Sequence, residues 1–328
     1  MGEFDLIERF FRRPGGQADL GIGDDCALLS ISAGHQLATS SDMLVQGQHF
    51  FPDVDPNALG HKALAVNLSD LAACGARPLA FTLALSLPHV DEVWLAAFSK
   101  GLFGLAEEYH CELVGGDTTK GPLTICITVF GEVPRINGIS QALLRSGAQV
   151  GDDIYVSGEL GDARFALEAL KGKDCWPVNL LQHARKKLER PIPRVKLGMA
   201  LRGLANSAID LSDGLAGDLM HLITKSGVGA RVHTEQVLRT MSTLRHTQWP
   251  IDQTSKEVLL AWVLSGGDDY ELLFTASPRD RESVTRAAVQ SGTPVTCIGD
   301  ITNSRELQWI NGQGVCFDPK VKSFNHFI

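Results

Sequence analysis

The sequence predicts an α+β (mixed α/β) chain, and three observations carry that expectation. Two stretches alternate with period two, a helical pattern lies between them, and 328 residues suit two cores better than one. Residues 1–13 carry early acids and no long apolar run, so an amphipathic first helix is expected rather than a secretory leader. Residues 59–73 read as a helix, with Ala63, Val66 and Asp70 at i, i+3 and i+7, which sets a carboxylate at the end of an inward-facing stripe. Phe81, Leu83, Leu85 and Leu87 alternate with Thr82, Ala84 and Ser86, and Leu123, Ile125, Ile127 and Val129 alternate with Thr124, Cys126 and Thr128. Both stretches are strands with one buried face. Between them, Val93, Ala96, Ala97, Leu102 and Leu105 mark a helix over 91–109. Pro134, Asn137, Gly138, Gly147 and Gly151 then break the periodicity, predicting a domain boundary within 134–152 that separates 1–135 from 136–328. Asp153 to Gly158 opens the second domain as a strand, and the polar segment 172–193 is an excursion ending in a helix.

Composition removes several function classes. The formal charge is −8 with no basic stripe, so the footprint needed to hold a nucleic-acid backbone is missing. No apolar run reaches the length of a membrane span. The seven cysteines are scattered without a Cys-x-x-Cys pair, which indicates neither a disulfide framework nor zinc but buried thiols in a reducing cytoplasm. There is no phosphate-loop lysine motif, no protein-kinase signature and no Gly-x-Ser-x-Gly elbow, and Gly21-Ile22-Gly23 lacks the third glycine of a dinucleotide fingerprint. A nucleotide bound here must be held mainly through cations.

Six clusters share one grammar, Gly or Ser followed by Asp: Gly23-Asp24-Asp25, Ser40-Ser41-Asp42, Asn67-Leu68-Ser69-Asp70, Gly115-Gly116-Asp117-Thr118-Thr119, Asp210-Leu211-Ser212-Asp213-Gly214 and Gly266-Gly267-Asp268-Asp269-Tyr270-Glu271. Any one of them is commonly a turn or a helix N-cap. Six in one acidic chain suggest more. Carboxylates and hydroxyls are hard ligands suited to Mg²⁺, and several acids gathered together repel unless cations neutralise them.

In order and spacing these motifs, with the helix His61 to Ala73 and the ending Tyr270-Glu271-Leu272, resemble the thiamine-monophosphate kinase family of the aminoimidazole-ribotide synthetase-like ATP-binding superfamily. The likeness runs from about residue 3 to Phe327. It implies a two-domain fold, each domain a mixed sheet covered by helices: an N-terminal ATP/Mg²⁺-binding and dimerisation domain, and a C-terminal domain completing the nucleotide and substrate site. It implies transfer of the ATP γ-phosphoryl group onto thiamine monophosphate to give thiamine diphosphate, with several Mg²⁺ ions, in a homodimer whose N-terminal sheets pair. Carried over residue by residue, Asp25, Ser40, Ser41, Asp42, Asp70, Asp117, Asp210 and Asp213 would be metal ligands. Gly116, Asp117, Arg145 and Ser212 would contact ATP, and His49, Asp268 and Phe324 the thiamine phosphate. Two positions depart from the family: Asp268 stands where Glu is usual, and Ser41 where Thr is usual.

The chemistry of these residues agrees with that assignment. Guanidinium suits phosphate through a rigid fork of donors, and an aromatic face attracts a cationic ring such as thiazolium. A phosphate monoester has its second pKa near ~6, so the acceptor oxygen is already an anion at neutral pH and no covalent nucleophile or essential base is expected. Two other readings stand beside the kinase. One is an aminoimidazole-ribotide or selenophosphate synthetase, the latter needing a reactive cysteine near the N-terminus, where Cys26 sits. The other is a noncatalytic divalent-cation or nucleotide-binding protein.

Overall fold

The computed structural model describes residues 2–321 apart from 14, 15, 17, 173–175, 246–248 and 250–253. The chain divides into two compact units, one of Met1–Leu71 with Ala76–Gln141, the other of Ala72–Gly75 with Ala142–Ile328.

In the first unit a short helix α1 (Glu3–Leu6) continues as a π-helical turn over Ile7–Phe11, closed by Arg12 N–H on the Ile7 carbonyl at 3.0 Å. The amphipathic helix expected over 1–13 is thus short and underwound in its last turn, a form that often marks functional sites. Strands β1 (His35–Val45), β2 (Arg77–Leu87), β3 (Glu112–Lys120), β4 (Thr124–Ile136) and β5 (Ile139–Ser140) alternate with helices α2 (Pro56–Ala73) and α3 (Glu92–Glu108). The sheet order is β1-β4-β2-β3 with β5 paired to β4. β2 and β3 are parallel, joined by α3, whose N-cap Asp91 accepts from Val93 and Trp94 N–H at 2.9 and 3.0 Å. Helix α2 is buried almost all round, His61 and Lys62 included, rather than along one stripe. The predicted break at Asn137-Gly138 is a two-residue hairpin, both residues left-handed at φ 52° and 79°, as an Asn-Gly turn favours.

The second unit is a seven-stranded sheet in the order β12-β11-β8-β10-β6-β9-β7. Its strands are β6 (Asp153–Ser157), β7 (Ala205–Asp210), β8 (Gly229–His233), β9 (Leu272–Ala276), β10 (Val295–Thr302), β11 (Leu307–Ile310) and β12 (Cys316–Phe317). The intervening helices are α4 (Asp162–Lys171), α5 (Val178–Glu189), α6 (Val195–Ala200), α7 (Leu215–Ser226), α8 (Thr234–Leu238), α9 (Lys256–Ser265) and α10 (Arg281–Ser291). Every residue of β6 and β9 is buried, as befits central strands covered on both faces. Among the described residues no helix is long and apolar enough to cross a membrane.

Candidate active site

In the first unit, strand alternation sends Ser40 and Asp42 to the face opposite Ser41. The Ser40 hydroxyl donates to Asp70 Oδ2 at 2.5 Å, joining β1 to α2. Asp42 N–H donates to Asn67 Oδ1 at 3.0 Å, and Asn67 in turn donates to the Ala63 carbonyl at 3.0 Å. Asn67 is fully buried and has no predicted role, yet it fixes the backbone that carries Asp42. The Ser41 hydroxyl lies 2.9 Å from Thr128 Oγ1 and 3.1 Å from the Ile127 carbonyl, so it does not join Ser40 and Asp70.

Asp24, Asp25 and Asp117 line one cavity of about 580 Å³ together with Gly23 and Gly116. Phe11, Ile22 and Val114 supply apolar wall, and Arg12 brings the one positive charge among the lining residues. Asp117 owes its position to an irregularity. Phe81 pairs with Leu113 but Thr82 with Gly115, so β3 carries one extra residue just before the Gly-Gly-Asp sequence. Gly116 follows at φ 147°, and a Cβ there would stand 1.8 Å from the Leu83 carbonyl oxygen. Only glycine fits, and the main chain beside Asp117 stays bare. His49 ends the turn after β1 and accepts Val45 N–H at Nδ1 (3.0 Å), which leaves the proton of a neutral ring on Nε2.

In the second unit, Asp210 ends β7 and Asp213 precedes α7. Asp213 N–H donates to Asp218 Oδ2 at 3.2 Å. Asp218 is buried, and desolvation, followed by the charge of Asp213, raises its carboxyl to about 7 against the opposing pull of Arg145. Arg145 belongs to a segment running beside β7, where the Leu144 carbonyl accepts Ala208 N–H at 2.8 Å.

The motif at 266–271 is stitched to that loop. Asp268 N–H donates to the Ser212 carbonyl at 3.0 Å, Tyr270 N–H to Leu211 at 2.8 Å, and Leu211 N–H to Glu271 at 2.8 Å. A Cβ on Gly267 would meet the Ser212 carbonyl oxygen at 2.5 Å. Glu271 is a structural acid: Arg194 donates to it through Nε at 2.6 Å and also through Nη2, and Ser157 Oγ donates at 2.5 Å. Phe324 lies outside the described residues.

Among the described residues, the one trio of His, Cys, Asp or Glu with ligand atoms within 4.8 Å of one another is Glu159, Asp162 and His183, which no motif indicated. Glu159 is already paired with Lys187 at 2.6 Å and Arg245 at 2.9 Å. Asp162 accepts from the backbone N–H and hydroxyl groups of both Ser242 and Thr243, and His183 Nε2 is 2.8 Å from Ser242 Oγ. These groups tie helices to a loop.

The model for the AIR synthase related protein N-terminal domain matches residues 23–133, and that for the C-terminal domain matches 149–310. The thiamine-monophosphate kinase of Salmonella typhimurium is 46% identical over 336 residues, covering 99% of this chain and 98% of its own. The chain belongs to the thiamine-monophosphate kinase family. A Bacillus subtilis thiamine-monophosphate kinase is 33% identical over 100% of both chains. The crystal structure of the thiamine-monophosphate kinase from Stenotrophomonas maltophilia K279a superposes with a TM-score of 0.81 at 40% identity, over 93% of this chain and 94% of that one. A further solved structure, AaThiL complexed with AMPPCP and TMP, gives 0.73 at 28% identity, over 91% and 89%. As a member of this family, the chain is an enzyme that phosphorylates thiamine monophosphate with ATP, which removes the synthetase and noncatalytic readings.

Proposed function

We propose that this kinase makes thiamine diphosphate by direct in-line transfer, the acceptor phosphate attacking the γ-phosphorus of ATP with no phosphorylated enzyme. The observation that carries this is the cavity at Asp24, Asp25, Gly116 and Asp117, where carboxylates and bare backbone line a space of nucleotide size. The hard-oxygen donor set fits Mg²⁺, which is usually held by one or two carboxylates while phosphate and water complete its shell. Asp25, Asp42, Asp70 and Asp117 would hold such ions in the first unit, with the Ser40 hydroxyl and the main chain of Ser41, and Asp210 and Asp213 in the second. When bound, Mg²⁺ neutralises phosphate charge that this acidic protein cannot offset itself.

Gly116 admits a phosphate against its main chain, and Arg145 and Ser212 contact the nucleotide. His49, through Nε2–H, and Asp268 orient the thiamine phosphate, with Phe324 beside them. The boundary between an ATP-binding N-terminal part (1–135) and a C-terminal part (136–328) belongs to the same reading.

A homodimer also belongs to it. On the exposed face of the first sheet, Met43 stands opposite Cys126 and Cys126 opposite Ala84, and Leu37 and Met43 are 51% and 54% exposed. An apolar row of this kind suits a second copy. The cytoplasm suits the scattered thiols. The proposal is tested by Asp42→Asn and Asp117→Asn, each expected to abolish most turnover at low Mg²⁺ with an unchanged circular dichroism spectrum. Near-normal turnover in both would remove the metal assignment.

A further inference from the structure

Asp268 and Tyr270 are both non-glycine residues in the left-handed region, at φ 68° and 49°, and they flank Asp269. Each such residue is strained and persists only where its surroundings over-determine it. The backbone N–H groups of Asp268 and Tyr270 hold the tripeptide to Ser212 and Leu211. The residue between them adds a side-chain tie to a different element. Asp269 Oδ1 accepts the N–H of Gly161 at 3.0 Å, at the start of α4, where Gly161 itself is left-handed at φ 83°. A Cβ on Gly161 would lie 2.7 Å from Val263 Cγ1, so this turn sits tightly against α9.

We infer that Asp269 is a positioning residue for the acceptor side of the reaction, latching the strained Asp268-Asp269-Tyr270 turn to the Gly161 amide so that Asp268 is presented to thiamine monophosphate. This rests on the acceptor-side reading of Asp268. The latch needs a hydrogen-bond acceptor and not a charge. Burial, then the acids at 162, 271 and 268, push the Asp269 carboxyl well above its ordinary range, and a neutral carboxyl or an amide still accepts from Gly161.

The test compares Asp269→Asn, Asp269→Ala and Asp268→Ala in steady-state kinetics, with thermal melts for each. Asp269→Ala should raise KM for thiamine monophosphate about tenfold, equivalent to about 1.4 kcal/mol and within what one strained left-handed residue represents. KM for ATP should stay within about twofold, and Asp269→Asn should restore acceptor KM to within about threefold of wild type, a split and a rescue that a general packing role would not produce. Hydrogen exchange across residues 158–164 gives a second readout, with faster exchange of the Gly161 amide expected in the alanine variant only. The latch is overturned if Asp269→Asn and Asp269→Ala raise acceptor KM equally, if both KM values rise together with a loss of melting temperature, or if Gly161 exchange is unchanged. Asp268→Ala separates the two levels. Unchanged acceptor KM in that variant removes the reading of Asp268, whereas raised KM there with no effect of Asp269→Ala removes the latch alone.

Discussion

Replacing Gly116 by alanine perturbs both the fold and the site, and its cost can be worked out from local geometry. The new Cβ would stand 1.8 Å from the Leu83 carbonyl oxygen and 2.6 Å from its carbon, both main-chain atoms that no rotamer change can move. The φ of 147° adds a backbone conformation that L side chains rarely adopt. Strain of about 1–3 kcal/mol, together with two weakened ladder hydrogen bonds at about 1 kcal/mol each, totals about 3–5 kcal/mol. At about 2–4 °C per kcal/mol, calorimetry should record the first unit melting about 10 °C lower. Below that melt, Asp117 is displaced along with β3, and ATP affinity by titration calorimetry should fall at least about tenfold. The neighbouring Gly115→Ala is the control, since a Cβ there finds nothing nearer than Thr82 Cγ2 at 3.9 Å. A Gly116→Ala protein with wild-type melting temperature and ATP affinity would mean that the close approach to Leu83 shapes neither the strand nor the site.

Two further outcomes follow from other parts of the molecule. Arg281 donates to buried Asp153 at 2.6 and 2.8 Å and holds its carboxyl below the ordinary range, so stability from this pair is present above about pH 4 and is lost as pH falls through the lowered value. Arg281→Ala should therefore move the acid-unfolding midpoint, followed by circular dichroism, to higher pH, and an unchanged midpoint would show the pair contributes nothing. Met43→Glu places a charge on the exposed apolar row and should convert a dimer of twice 35.4 kDa to monomer in sedimentation equilibrium, whereas a persisting dimer would exclude that face as the interface.

Sequence periodicity reached β2, β4 and α3, each with one wetter and one drier face, but not β1, whose alternation is interrupted by Ser40-Ser41-Asp42. β2 and β4 are half-buried strands and their alternation is plain, while α3 shows its buried residues at helical spacing. It did not reach β3, because Glu112–Lys120 contains two glycines and an aspartate and is held as a strand by its partner β2 rather than by propensity. Helix α2 was legible as a helix but not as a buried one, since burial on every side erases the stripe. The site divides in the same way. Asp25, Asp42, Asp117, Asp210 and Asp213 sit in local motifs and could be named from spacing and resemblance. Asn67 could not be given a role because it acts on the Asp42 N–H, 25 residues away, and the partner of Asp269, which flanks Asp268, is the Gly161 N–H, 108 residues away. No local pattern encodes such a contact.

In the proposed reaction ATP passes its γ-phosphoryl group to thiamine monophosphate in one displacement. The most direct test supplies ATP made chiral at the γ-phosphorus with oxygen isotopes and sulfur, together with thiamine monophosphate and Mg²⁺, and follows both the destination and the configuration of the label. One displacement inverts configuration, so the label is expected in the thiamine diphosphate analogue, inverted, with one ADP formed per transfer. Retained configuration would mean a phosphorylated enzyme on one of the acids or His49, and label released as free thiophosphate without an acceptor product would contradict the transfer itself.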